Sequence, residues 1–307
     1  MTGGGWQGYR ILAGGLALGL AACGRPGLTP LQTQYQQSEE RALRYHARGE
    51  LSQALQAFQE SLRWAELADD RAAIVAQALN VGRVALTLDA EPLAVQSFQR
   101  AQSTATTLGD AACGLRASLG LAQIDLQRGR FDAAQAAFAQ TLIEARRQRD
   151  DAAALAALNG LGLAQKGLGQ WPAAQQTLNE AEALARSHGD RQLLAATLAN
   201  QGGLALQTGE TDRAIPALEE AVALDRETEN LLGLEHDLRL LAQARQRQGN
   251  PAAALELYRQ ARTIARHTGR RDQAQRYDQA IERLERESGV RLPQGKVKSD
   301  EEDSRAQ

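Results

Sequence analysis

The chain has little of what chemistry usually needs. Only two cysteines, Cys23 and Cys113, occur in 307 residues, too few for a disulfide framework or a cysteine zinc cluster. Its four histidines, His46, His188, His236 and His267, form no HExxH, HxH or Cys-His spacing. Aromatic residues make up 4% of the sequence, and 35 basic residues stand against 37 acidic ones. That balance excludes the global basic field that draws a protein to nucleic acid. The pairs Gly160/Gly162 and Gly167/Gly169 lack the third glycine and the preceding strand of a nucleotide loop. Carboxylates are plentiful but scattered over expected helix surfaces, so no acid–base pair stands out. No metal or cofactor site is expected, and the chain does not read as an enzyme.

Long apolar runs are missing too. Ile11 to Ala22 is apolar for about a dozen residues, where a bilayer-spanning helix needs roughly 20. Arg10 is the only charge before it, and it ends in small residues, the makeup of a secretory signal peptide.

What the chain has in abundance is repetition. A turn former returns every forty residues: Gly49, Asp89, Gly129, Gly169, Gly209 and Gly249. Five residues after each stands an alanine (Ala54, Ala94, Ala134, Ala174, Ala214, Ala254), and four further on a bulky residue (Phe58, Phe98, Phe138, Leu178, Leu218, Tyr258). A second signal, also spaced by forty, is Gly109, Gly189 and Gly269, with Arg149 and Glu229 at equivalent places. The residue after it is a helix N-cap type: Asp70, Asp110, Asp150, Asp190 and Asn230. A terminating glycine followed by a capping acid predicts a helix–turn–helix junction. Two helices per unit follow, A before the first signal and B after it. Ser52, Asp132 and Asp212 stand at the cap or first turn of helix B, with Pro92 and Pro172 at the matching position. A fixed period of this size is the mark of a stacked-repeat solenoid, an architecture that offers long concave binding surfaces.

The small residue of helix A (Ala42, Gly82, Ala122, Gly162, Gly202, Ala242), then glycine, alanine and the bulky residue, together resemble the tetratricopeptide repeat across roughly residues 34–286. The unit is longer than that family's usual length of about 34 residues, similar to the variants of kinesin light chains and cell-polarity adaptors. Asn80 and Asn200, two residues before the small position, fit that variant, whereas Gly120, Gly160 and Leu240 do not. The resemblance implies an all-α, right-handed solenoid of about six helical hairpins. Asp272 to Glu287, with Ala274, Tyr277, Ile281 and Leu284 on one face, reads as its capping helix. It also implies that helix A lines the concave surface. Residues placed there are Asn80, Arg83, Arg116, Gln123, Asn159, Lys166, Asn200, Arg239, Gln243 and Arg247. Their donors suit an extended or helical acidic peptide. A second stripe, Arg146, Arg186, Arg226 and Arg266, falls in the last turns of helix B, where cations favour the helix C-terminus and their stems cover apolar surface.

Leu20-Ala21-Ala22-Cys23-Gly24 resembles a bacterial lipobox. By that resemblance residues 1–22 are a lipoprotein signal peptide, and Cys23 becomes the acylated N-terminus of the mature chain. The lipid bilayer is then one partner, with the protein facing the periplasm. Gly24, in place of the Asp that resembles an inner-membrane retention signal, favours the outer membrane. Residues 23–33 read as a flexible tether, 34–286 as the solenoid with its cap, and 287–307 as a disordered charged tail. The expected function is a membrane-anchored scaffold holding an envelope protein in pilus or secretin, outer-membrane protein or peptidoglycan machinery. Two alternatives stay open: an enzyme or carbohydrate-binding protein with its site between repeats, and a self-assembling structural subunit.

Overall fold

The computed structural model describes residues 28–290. The lipobox with Cys23 and the charged tail from 291 onward lie outside the described residues. Thirteen helices follow one another: α1 Pro30–Ala47, α2 Leu51–Leu67, α3 Arg71–Thr87, α4 Glu91–Leu108, α5 Ala111–Gln127, α6 Phe131–Gln148, α7 Asp151–Gly167, α8 Trp171–His188, α9 Arg191–Thr208, α10 Thr211–Glu227, α11 Leu231–Arg247, α12 Pro251–His267 and α13 Arg271–Ser288. No strand occurs among the described residues. Odd-numbered helices are the A helices, even-numbered ones the B helices, and α13 closes the stack. No helix among the described residues is long and apolar enough to cross a membrane.

Local chemistry sets each junction. Asp70, Asp110, Asp150, Asp190 and Asn230 accept from the backbone N–H three residues on, capping α3, α5, α7, α9 and α11. Each such cap is worth about 1 kcal/mol. Every junction passes through a left-handed residue. Glycine takes it at eight junctions, and again at Gly289 after α13, but Asp69, Asp89, Arg149 and Glu229 take it at the other four at the cost that any Cβ meets there. The B helices start with the expected residues in their first turn but with less capping. Their N-caps Glu50, Ala90, Arg130, Gln170 and Glu210 make no side-chain cap, and only Asn250 does. Ser52, Asp132 and Asp212 lie inside the first turn. Helix α1 also begins earlier than the sequence implied. Thr29 caps α1 in a reciprocal box with Gln32, and Pro30 takes the first helical position, where its missing N–H costs nothing.

Packing follows the forty-residue register. Ala54, Ala94, Ala134, Ala174, Ala214 and Ala254 are sealed, and Phe58, Phe98, Phe138, Leu178, Leu218 and Tyr258 are buried beside them. The small A positions let the bulky residues in: a Cβ on Gly82 would stand 2.8 Å from Phe98, and one on Gly162 2.8 Å from Leu178. Gly120 and Gly160 serve the same purpose from the next repeat. A Cβ on Gly120 would meet the Phe98 ring at 2.5 Å, and one on Gly160 would collide with Phe138. Cys113 is buried, and burial, then the Asp110 carboxylate, pushes its thiol up to about 12.

Neighbouring A helices pack on one another (α3 on α5, α5 on α7, α7 on α9, α9 on α11), a closeness that the B helices do not reach. The A helices therefore form the inner, concave wall. The arginine stripe does more than its expected service at helix ends. Arg146 pairs with Glu180, Arg186 with Glu220 through two 3.0 Å bonds, and Arg226 with Gln260 at 2.9 Å. These links run from one B helix to the next. Arg266 ends the ladder on Asp278 of α13, at 2.9 Å.

Candidate functional site

The inner wall carries two groups of polar side chains with different fates. Near the first repeats, Arg83 Nη2 donates to Asn80 Oδ1 at 3.2 Å, and burial pushes the guanidinium down to about 10. His46 is held below its ordinary value, by burial first and then by the Arg83 charge. Arg116 and Gln123 are half-buried on α5.

In the middle of the wall, the asparagines serve the stack itself. Asn159 is buried; its amide donates to Thr197 Oγ1 at 2.9 Å, and its carbonyl accepts from Asn200 Nδ2 at 3.0 Å. Both ends of Asn159 are thus spent on joining α7 to α9. It is not presented to a ligand as the sequence suggested, because a buried amide must find partners within the protein. Arg247 is also occupied, donating to the Leu206 carbonyl at the end of α9.

The last repeats gather the remaining cations. A cleft of about 570 Å³ opens between α11 and α13, lined by Glu235, His236, Arg239, Gln243, Arg270, Gln273, Arg276 and Tyr277 among others. Its one carboxylate is already spoken for. Glu235 is 1% exposed and accepts from Arg270 Nη1 and the Tyr277 hydroxyl, both at 2.9 Å. Burial raises its carboxyl above the usual range, opposed mainly by Arg270. Lys166 approaches from α7, with Nζ 3.6 Å from the place a Cβ would take on Gly203, and pairs with no carboxylate among the described residues. Burial and then Arg239 hold its ammonium below the ordinary value. Part of the His236 ring faces solvent, yet the enclosing walls, then Arg239, Lys166 and Arg270, push it down to about 4. The imidazole is neutral at physiological pH, and its Nδ1 stands 3.3 Å from Arg239 Nη2. An uncompensated cluster of this kind in a walled cleft attracts anions.

Of the residues placed by sequence on the concave side, the structure brings Arg239 and Gln243 to this cleft with Lys166 beside it, pairs Asn80 with Arg83, and joins Asn159 to Asn200. His236, Arg270, Gln273, Arg276 and Tyr277 were not among them. A signal for two members was present. Arg270 stands where α3, α5, α7, α9 and α11 have Asp or Asn as the cap. Glu235 stands where the others bury Val75, Leu115, Leu155 and Ala195. A cation at a helix N-terminus and a carboxylate in a core row are each costly alone, so together they point to one another.

A family model described as tetratricopeptide repeat matches residues 154–227 and 193–267. No curated protein gives a significant match. Among solved structures, a Rap protein complexed with competence and sporulation factor is similar with a TM-score of 0.63 at 14% identity, over 86% of this chain and 78% of that one. The Rap conjugation regulator of plasmid pLS20, in complex with the Phr* peptide, gives 0.62 at 15% identity over the same shares. A signal transduction ATPase with a tetratricopeptide repeat sensor, from Pyrococcus horikoshii, gives 0.59 at 14%, over 84% of this chain but 43% of its own length. At these identities the likeness is one of fold. The chain accordingly carries tetratricopeptide repeats and folds as an α-solenoid of helical hairpins.

Proposed function

We propose that the chain is a non-enzymatic adaptor that holds an acidic segment of another protein against its concave wall. The observation that carries this reading is the cleft between α11 and α13, where Arg239, Arg270, Arg276 and the neighbouring Lys166 face a single, already paired carboxylate. Of the similar solved structures, one is a complex with the Phr* peptide and another a complex with competence and sporulation factor; the former supports a peptide as the occupant. The lipobox-like stretch ending at Cys23 adds an acyl anchor, so the adaptor works at the periplasmic face of a bacterial membrane, the outer one by preference, in assembly of an envelope complex.

Photo-crosslinkers at Gln243 and Gln273 in living cells, followed by identification of what they capture, test the adaptor reading. A partner with an acidic stretch, lost when Arg239 and Arg276 are changed together to Glu, is the expected result. Capture that survives the charge reversal removes the cleft from the mechanism. Palmitate labelling that persists in Cys23→Ala removes the anchor.

A further inference from the structure

The two ends of the array meet. Gly49, the turn between α1 and α2, lies against Thr268, the residue that closes α12, although 219 positions separate them. A Cβ built on Gly49 stands 3.7 Å from Thr268 Cβ and 3.6 Å from its methyl carbon, ordinary van der Waals contact. Gly49 sits at φ +74° and offers no side chain, which lets the turn come this near. No hydrogen bond or ion pair among the described residues joins the Gly49 turn to α12 or α13. Every other junction between successive helices buries a row of apolar side chains.

We infer that the hairpins close into a ring of one superhelical turn, the upper rim of the first hairpin meeting the lower rim of the last through this seam, and that the partner is an extended segment with a free end, held inside the ring rather than a folded domain laid in an open groove. Three observations converge on it. The A helices form the inner wall, the cationic cleft lies on that wall, and the seam stands two residues from Arg270, which braces Glu235 in the cleft. An unfolded acidic chain fits such a space because its backbone and carboxylates meet donors from several helices at once. A folded body must first part the seam. The acidic character of the occupant rests on the function proposed above; the closure itself does not.

The Cβ–Cβ separation at the seam lies within the range of about 3.5–4.5 Å that a disulfide needs. The full chain carrying Gly49→Cys and Thr268→Cys, with Cys23→Ser and Cys113→Ala, is oxidised mildly and compared with its reduced form. The control pairs Gly49→Cys with Thr228→Cys, the equivalent residue one repeat earlier. An intramolecular disulfide in the monomer, formed at least tenfold faster than in the control, is expected. A Cys at positive φ can strain the turn, so Arg48→Cys with Thr268→Cys, bridged by a bismaleimide of about 10 Å reach, gives a second reading. A folded monomer that links through neither pair overturns the ring.

Binding of a linear oligoglutamate peptide, and of the same stretch fused at both ends to folded domains, then tests the occupant. The oxidised ring should bind the linear peptide within twofold of the reduced protein and lose the doubly fused one at least tenfold. Equal binding of both by the locked ring places the ligand outside and overturns the inference, as does loss of the linear peptide on locking. If the linear peptide binds neither form, the acidic-partner reading fails while the crosslinks still decide the closure.

Discussion

Asp225 and Asp237 bring their carboxyl groups into hydrogen-bonding contact between α10 and α11, each only 2% exposed. Asp237 Oδ2 finds no N–H or O–H donor among the described residues. Asn230 Nδ2 holds the other oxygen of Asp225 at 2.9 Å. Burial first, and then Asp225, push the Asp237 carboxyl up to about 8; burial raises Asp225 to about 6. Arg239 opposes the shift at Asp237.

Stability should therefore fall with alkalinity. Both carboxyls bind protons more tightly folded than unfolded, where their value is about 3.9. Their contribution is complete below that value and is lost as pH rises through about 6 and then about 8. Asp237→Asn, whose amide can donate to Asp225, should stabilise the fold by about 1–3 kcal/mol at pH 8 and flatten the profile. Urea unfolding from pH 5 to 9 measures this, and a wild-type midpoint that climbs across the range contradicts it.

Glycine-to-alanine changes should split by location. Gly120→Ala drives a methyl into the Phe98 ring and should cost about 1–3 kcal/mol. Gly114→Ala, in the same helix with nothing within 4 Å, should instead gain up to about 1 kcal/mol from helix propensity. Thermal melts of the two variants separate the effects, and equal shifts would show that packing is not the cause.

The His236 imidazole reports on the cleft. Its depressed value means that the neutral form persists from pH 6.5 down to about 4, and stability at this site is lost as pH falls through that window. An oligoglutamate ligand should raise the His236 value and draw in a proton near pH 5, as should Arg239→Gln without ligand. Imidazole proton shifts followed by NMR give the answer; a titration unmoved by either change places the ligand elsewhere.

The ladder of arginines on the B helices should matter little in isolation. Arg186 and Glu220 are each nearly half exposed, and a double-mutant cycle between them should give less than about 1 kcal/mol, shrinking further in 1 M salt. A larger, salt-resistant coupling would mean that the links act as a cooperative network.

Much of the fold was legible because the constraints are local and recur. Capping acids, left-handed turns and the sealed alanine row each repeat at forty residues, so one unit checks the next. The site was less legible because it is built where the repetition lapses. Asp225 takes the place held by Ala65, Ala105, Ala145, Ala185 and Ala265, and Gly233 lacks the Cβ that would collide with it. Glu235 and Arg270 break their own rows in the same way. Asn159 was misplaced because a polar residue on an inner helix satisfies a neighbouring repeat as readily as a ligand, and sequence spacing does not separate the two. The meeting of Gly49 with Thr268 depends on curvature accumulated over six hairpins, which no local pattern encodes.

Helix length has a consequence for what the wall can measure. Each inner helix has 17 or 18 residues, a height of about 26 Å. A strand-like chain running alongside covers that distance in about eight residues. A recognition motif of that span would reach from rim to rim, and anything longer overhangs, free to be gripped by a second protein.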